Sequence, residues 1–133
     1  MFRFIWLLLT FACATPVLAQ TPKDFIDLRA AEAAAADSSF SGFDARRGKS
    51  IFTTRHGDWA CTSCHTENPA AVGKHAVTEK TIQPLAPAAN PERFTSTKKV
   101  DKWFRRNCHD VLKRACSAQE KGDVLTYLLS VGS

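Results

Sequence analysis

Apolar residues recur along this chain with the period of a helix, and turn-forming residues separate the periodic stretches. Pro22 to Ala36 reads as a first helix, with proline near its start, an alanine-rich body and a break over Ser38 to Gly42. A second helix runs from about Phe43 to Arg55. From His65 to Phe94 periodicity is lost, and Pro69, Gly73, Pro84, Pro87 and Pro91 punctuate a long irregular segment. Ser96 to Leu112 forms a third helix. Ser117 and Glu120 make a capping box that opens a fourth, which runs to Val131 with Val124, Leu125, Leu128 and Leu129 on one side. No repeat and no strand-like alternation is present, so the fold class is all-α.

The phase of the third helix sorts its polar residues. With Val100 at zero and about 100° per residue, Trp103, Phe104, Asn107 and Val111 fall within about 60° of it, on one apolar stripe. Asn107 is the polar intruder on that face. His109 lies about 180° away, among Lys98, Lys102, Arg105 and Lys113, where a charged helix meets water.

The N-terminus has a different character. Arg3 opens a short positive region, Phe4 to Ala14 is apolar, and Val17-Leu18-Ala19 offers small residues at cleavage positions. Residues 1–19 therefore read as a signal peptide that is removed on export to the periplasm, leaving residues 20–133 as one domain. About eleven apolar residues are too few to span a bilayer, so no stable membrane anchor is expected. Cys13 leaves with this segment, since Phe11 stands where a lipoprotein site wants a small residue.

Charge narrows the partners only slightly. The chain carries 18 basic and 13 acidic side chains, and losing Arg3 leaves it mildly positive, too little to argue for nucleic acid.

Chemistry concentrates at Cys61-Thr62-Ser63-Cys64-His65. In a CxxCH run, one helical turn presents both sulfurs along one porphyrin edge for thioether bonds, and the following imidazole falls under the iron as proximal ligand. A dithiol redox site would want a strand before it, and Arg55 to Thr66 has no β-branched alternation. Zinc would need two further ligands near by, whereas Cys108 and Cys116 lie more than forty residues away. The expected cofactor is one covalently bound haem c.

Two of the five cysteines then remain in an oxidising space, Cys108 and Cys116, and are expected to form a disulfide. Eight residues of continuous helix would hold their Cα atoms about 12 Å apart, roughly twice what a disulfide tolerates, so the helix bearing Cys108 must end before Cys116.

The single methionine is Met1, which leaves with the signal, so histidine and methionine ligation is impossible. The sixth ligand is open between His56, His75, His109, an asparagine, a lysine, water and no ligand. A buried amide without a partner costs roughly 1 to 3 kcal/mol, so Asn107 on an apolar stripe needs a reason, and an iron atom supplies one. A hydrogen bond to a propionate or a backbone carbonyl is the competing reason.

Most of the mature chain resembles class I cytochromes c: Gly48 with Phe52 one turn later, and Tyr127 within Asp123 to Leu128, look like the helix crossing of that family. A closer resemblance, to the group of the sphaeroides haem protein and cytochrome c″, rests on Cys64-His65-Thr66-Glu67-Asn68-Pro69, Gln83-Pro84-Leu85-Ala86-Pro87, Pro91-Glu92-Arg93-Phe94-Thr95 and Lys102 to Cys108 with Cys116 eight further on. That resemblance implies a small class I cytochrome c-like fold. It also implies that the residue just before the first disulfide cysteine, here Asn107, is the distal ligand, with His109 as the alternative. An amide is a hard, neutral, weak ligand that suits ferric better than ferrous iron, so reduction should release Asn107.

The function implied is electron transfer by a non-enzymatic carrier, with binding or processing of O2, NO or CO at the ferrous haem as the competing class. An acidic redox partner would dock on Lys98, Lys99, Lys102, Arg105, Arg106, Lys113 and Arg114.

Overall fold

The structure, a computed structural model, describes residues 20–132; the signal peptide, Cys13 and Met1 lie outside the described residues. Five helices, α1 (Pro22–Ala36), α2 (Ala45–Thr53), α3 (Thr62–His65), α4 (Thr97–Leu112) and α5 (Ala118–Ser130), are joined by loops and one small hairpin, β1 (Gly73–Lys74) with β2 (Thr81–Ile82). The helical architecture agrees with the all-α expectation.

Local chemistry sets the helix ends. Thr21 and Asp24 cap α1 reciprocally with Pro22 in its first turn, and Ser117 and Glu120 do the same for α5. Asp44 caps α2 by accepting from the backbone N–H of Arg46 and Arg47 at 2.8 and 2.9 Å, so α2 begins two residues later than the apolar pattern indicates. Ser96 caps α4, which ends at Lys113 in the left-handed conformation, φ 59°. The chain can therefore turn before Cys116, and the Cys108 and Cys116 Cα atoms lie 5.7 Å apart, joined by a disulfide. Beside it the Arg114 guanidinium, and then the Ser117 backbone N–H, hold the Glu120 carboxylate below its usual range.

α5 is the centre of the molecule, with α2 on one side and α1 on another. Where α2 crosses it, Gly48 lies directly against the Asp123 carbonyl, in the space a β-carbon would need. Phe52 and Tyr127 pack at 5.6 Å over that crossing, in a cluster with Val124 and Leu128. A second cluster joins Phe25, Val100 and Leu125, and Phe94 and Phe104 pack against both. Because α5 is flanked twice, burial extends beyond Val124, Leu125 and Leu128 to Gly122, Asp123 and Tyr127, while Leu129 is only half-buried.

Two charges sit inside. Asp123 accepts from Arg47 Nε at 2.8 Å, from an Arg47 terminal nitrogen at 2.9 Å and from the Asp44 backbone N–H at 2.7 Å. Arg29 lies over the Phe25 ring and reaches Glu32 at 2.7 Å and Asp101 at 3.4 Å, which ties α1 to α4. A parallel stack of Phe25 on Phe104, 5.8 Å between centroids, closes the same junction.

The seating of α4 corrects one expectation. Val100 and Cys108 are buried and Phe104, Val111 and Leu112 half-buried, but Trp103 and Asn107 are exposed. The helix rests on Phe25 and Leu125 through Val100 and Phe104, with Cys108 buried farther along, so the buried arc is rotated off the apolar stripe and leaves Trp103 and Asn107 on its flank. Asn107 thus stands on a flank of α4 that the polypeptide itself leaves uncovered. The basic face is also narrower than charge counting gave. Arg114 pairs with Glu120 at 2.6 Å, leaving Lys98, Lys99, Lys102, Arg105, Arg106 and Lys113, the last donating to the Asp110 carbonyl, exposed and outside any ion pair among the described residues.

Candidate functional site

The CxxCH run occupies one turn. Cys61 stands at the N-cap in helical conformation, its carbonyl accepts from the N–H of Cys64 and His65 at 3.2 and 3.0 Å, and Ser63 Oγ accepts from the Ala60 N–H at 3.0 Å. Both thiols and the imidazole are thereby fixed within five residues and are half-buried. The turn is seated on the α2–α5 crossing: Cys61 packs against the cluster of Phe52, Tyr127 and Leu128, and the His65 ring lies 6.2 Å from that of Phe52.

The chain leaves this turn under strain. Thr66 has φ 63° and ψ 170°, a conformation costly for a β-branched residue. It is held by the Thr66 N–H to the Thr62 carbonyl and by its hydroxyl, which donates to the Asn68 carbonyl at 2.8 Å and accepts from the Asn68 N–H at 3.2 Å. The β1–β2 hairpin then folds back on the site. Gly73 lies against the Cys64 carbonyl where a side chain would collide, and the Ala76 N–H donates to Cys64 Sγ at 3.2 Å. Two-residue strands carry no alternation, so sequence patterning missed this clasp.

It missed Arg93 as well. Its Nε donates to the Pro84 carbonyl at 2.8 Å and a terminal nitrogen to the Gln83 carbonyl at 2.5 Å, while Leu85 and Ala86 donate to the Pro69 carbonyl at 2.8 and 3.0 Å. The long segment after His65 is therefore a laced structure. The signal was an arginine in a proline-rich loop, indistinguishable in one dimension from a solvated charge.

Electrostatics suit the turn to hold a metal complex. Burial, reinforced by the charges of Arg93 and His75, pushes the His65 imidazole down to about 4, so it is neutral at physiological pH, the form that ligates iron. Burial pushes the Cys61 thiol up to about 11. A thiol that resists ionisation is a poor dithiol-exchange nucleophile, which argues against a redox-active pair. Cys61 and Cys64 are both free, whereas the other two described cysteines are bonded. Two free thiols one turn apart, followed by a neutral imidazole on an apolar floor, fit haem c in donor type and spacing.

The remaining candidates are dispersed. His56 is exposed and bridges only to Trp59 through its backbone. His75 is exposed and its Nδ1 accepts from the N–H of Val77 and Thr78. His109 is exposed on the solvent side of α4, 3.5 Å from Asp110, and α4 stays helical to Leu112. Asn107 stands next to the disulfide, with no side-chain hydrogen bond among the described residues. No group of three or more His, Cys, Asp or Glu assembles as a metal site among the described residues, and no helix there is long and apolar enough to cross a membrane.

Comparison with known proteins agrees with this geometry. A family described as a domain of unknown function, DUF1924, matches residues 38–128. Cytochrome c″ of Methylophilus methylotrophus is 52% identical over 71 residues, covering 53% of this chain and 49% of the relative, about half of its length. The cytochrome c-type protein SHP of Cereibacter sphaeroides is 42% identical over 90 residues, covering 64% of this chain and 69% of that protein. Crystal coordinates of oxidised cytochrome c″ superpose with a TM-score of 0.76 at 36% identity, over 84% of this chain and 95% of the other. Oxidised SHP, described as an oxygen-binding cytochrome c, gives 0.73 at 36% identity over 83% and 96%.

Proposed function

Since the chain belongs to the DUF1924 family and to the cytochrome c″ and SHP group, whose members carry covalently bound haem c, we propose that it is an exported monohaem electron carrier whose distal ligand leaves on reduction. In this reading residues 1–19 are a signal peptide removed on the way to the periplasm, and residues 20–133 are the working domain. Cys61 and Cys64 form the thioethers, His65 is the proximal ligand and Asn107 the distal one. The observation that carries the proposal is the CxxCH turn itself, seated on the Phe52 and Tyr127 floor with a neutral imidazole.

When bound, the haem would supply a one-electron couple and a site for a small gas. The residues do the rest. His65 is held in place by its N–H bond to the Cys61 carbonyl and by Phe52, so the proximal side is fixed. Asn107 is a weak neutral donor suited to the ferric state. The disulfide at Cys108 would hold the helix end that carries Asn107 in place. The α4 cations Lys98, Lys99, Lys102, Arg105 and Arg106 would steer an acidic redox partner.

A second reading, capture of O2 or NO at the reduced site, is favoured by the likeness to SHP, described as oxygen binding. Stopped-flow measurement separates the two. An electron carrier is expected to be reduced by an acidic donor protein with a rate that drops about tenfold from low to physiological ionic strength. A gas-handling protein is expected to bind CO quickly when reduced and to show reduction rates insensitive to salt. Fast, salt-insensitive reduction with slow gas binding would contradict both the docking face and the open site.

A further inference from the structure

The packing around Tyr127 needs its ring but not its hydroxyl. The ring is locked over the α2–α5 crossing with Phe52, Val124 and Leu128, where phenylalanine would fill the same space. The phenolic oxygen makes no hydrogen bond among the described residues, although a tyrosine so deeply seated usually finds a partner for it. Tyr127 instead borders an open cleft of about 500 Å³ between α2, the end of α5 and the loop that follows His65, lined also by Arg46, Lys49, Glu67 and Asn68. Burial, and then the charge of the Glu67 carboxylate, push the phenol above its usual range, so it stays protonated with a base beside it. On its other side the ring begins a line that leads back to the CxxCH turn: 5.6 Å between centroids from Tyr127 to Phe52, and 6.2 Å from Phe52 to the His65 imidazole. Both gaps lie within the range of ring contact, and electronic coupling decays less across touching π systems than across solvent. Tyr127 is the only tyrosine of the chain, and it is the one member of this line that readily gives up an electron together with a proton.

We infer that Tyr127 is a redox-active side chain: when the reduced protein meets hydrogen peroxide, Tyr127 supplies one of the two electrons the peroxide takes, by way of Phe52 and His65, and Glu67 accepts its proton. The inference rests on the reading above of a haem on His65 with an open position when reduced. Breaking the O–O bond of the peroxide to give two waters consumes two electrons and two protons. One electron comes from the iron, which goes from ferrous to ferric. The other comes from Tyr127, whose phenolic proton, passed through Glu67, is one of the two protons; the second comes from solvent. The products are the ferric protein, a neutral tyrosyl radical and two waters. The oxidising equivalent is thereby moved to a surface cleft, where Arg46 and Lys49 favour an anionic reductant that returns a hydrogen atom to the ring oxygen.

Rapid freeze-quench electron paramagnetic resonance of the reduced holoprotein mixed with equimolar hydrogen peroxide is the test. A tyrosyl signal is expected in wild type and is expected to be lost in Tyr127→Phe, a change that keeps the ring in its packing; with a single tyrosine in the chain the signal has one source. Glu67→Gln is expected to slow its appearance about tenfold or more, as loss of a proton acceptor does. Ascorbate, an anionic hydrogen-atom donor, is expected to shorten the life of the signal. No tyrosyl signal in wild type, a tryptophanyl signal in its place, or the same signal in Tyr127→Phe overturns the inference. An unchanged rate in Glu67→Gln overturns the role of Glu67, and a signal that outlasts added ascorbate overturns the cleft as the place of return. CO binding by the reduced protein is the control for the premise. A reduced protein that binds no CO and leaves peroxide unreacted removes the open site and the relay together, whereas CO binding without a tyrosyl signal removes the relay alone.

Discussion

Gly48→Ala is expected to cost about 3 kcal/mol of folding stability or more, the upper end for overpacking, and to lower the melting temperature of the oxidised holoprotein by on the order of 15 °C. Nothing about the substitution is chemically disruptive: alanine has a better helix propensity than glycine, so an isolated α2 would gain about 1 kcal/mol. The loss arises because the new β-carbon would overlap the carbonyl oxygen and carbon of Asp123 and crowd the Val124 nitrogen. These are backbone atoms in the middle of α5, with no rotamer to change, so the helices must separate along their contact. Separation would loosen the Phe52–Tyr127 pair, and with it the surface on which the CxxCH turn rests. Calorimetry or thermal circular dichroism checks this. A melting temperature within a few degrees of wild type would mean that α2 and α5 do not approach so closely.

Arg47→Met is expected to have a comparable effect, about 3 kcal/mol, because removing one partner strands a buried charge. Asp123 is 2% exposed and accepts three hydrogen bonds, two of them from Arg47. Methionine keeps the aliphatic stem but leaves the carboxylate only the Asp44 N–H. The reverse change should be milder, since the Arg47 side chain is 47% exposed and water can solvate it. Adding Asp123→Asn to Arg47→Met is therefore expected to recover most of the loss, a coupling that urea denaturation of the two single variants and the double one measures. A loss below about 1 kcal/mol for Arg47→Met would mean that the pair contributes as little as a surface bridge.

Much of this was legible in one dimension because it depends on local rules. Pro22 to Ala36 is the observed α1, and the Ser117 and Glu120 box starts α5 where the capping pattern put it. The one-turn placement of Cys61, Cys64 and His65 follows from their spacing. What was not legible depends on partners. Periodicity gives the angle between Val100, Phe104 and Asn107 but not the direction in which Phe25 and Leu125 lie, so it could not tell on which edge of the stripe α4 rests. Arg29 in an alanine-rich helix and Asp123 in α5 look like solvated charges, because apolar patterning takes no account of a charge buried against an aromatic face or a bidentate arginine. The Gly73 clasp on Cys64 and the Arg93 lacing arise from backbone acceptors that no side-chain pattern displays.

The weak distal amide is the central claim, and paired optical spectra of the oxidised and reduced protein test it most directly, in wild type and in Asn107→Ala. The account predicts a six-coordinate ferric spectrum that becomes five-coordinate and high-spin on reduction in wild type, and a ferric spectrum already altered in Asn107→Ala while the two ferrous spectra coincide. Ferric spectra that do not differ between the two proteins, or a wild-type haem that stays low-spin after reduction, would contradict it.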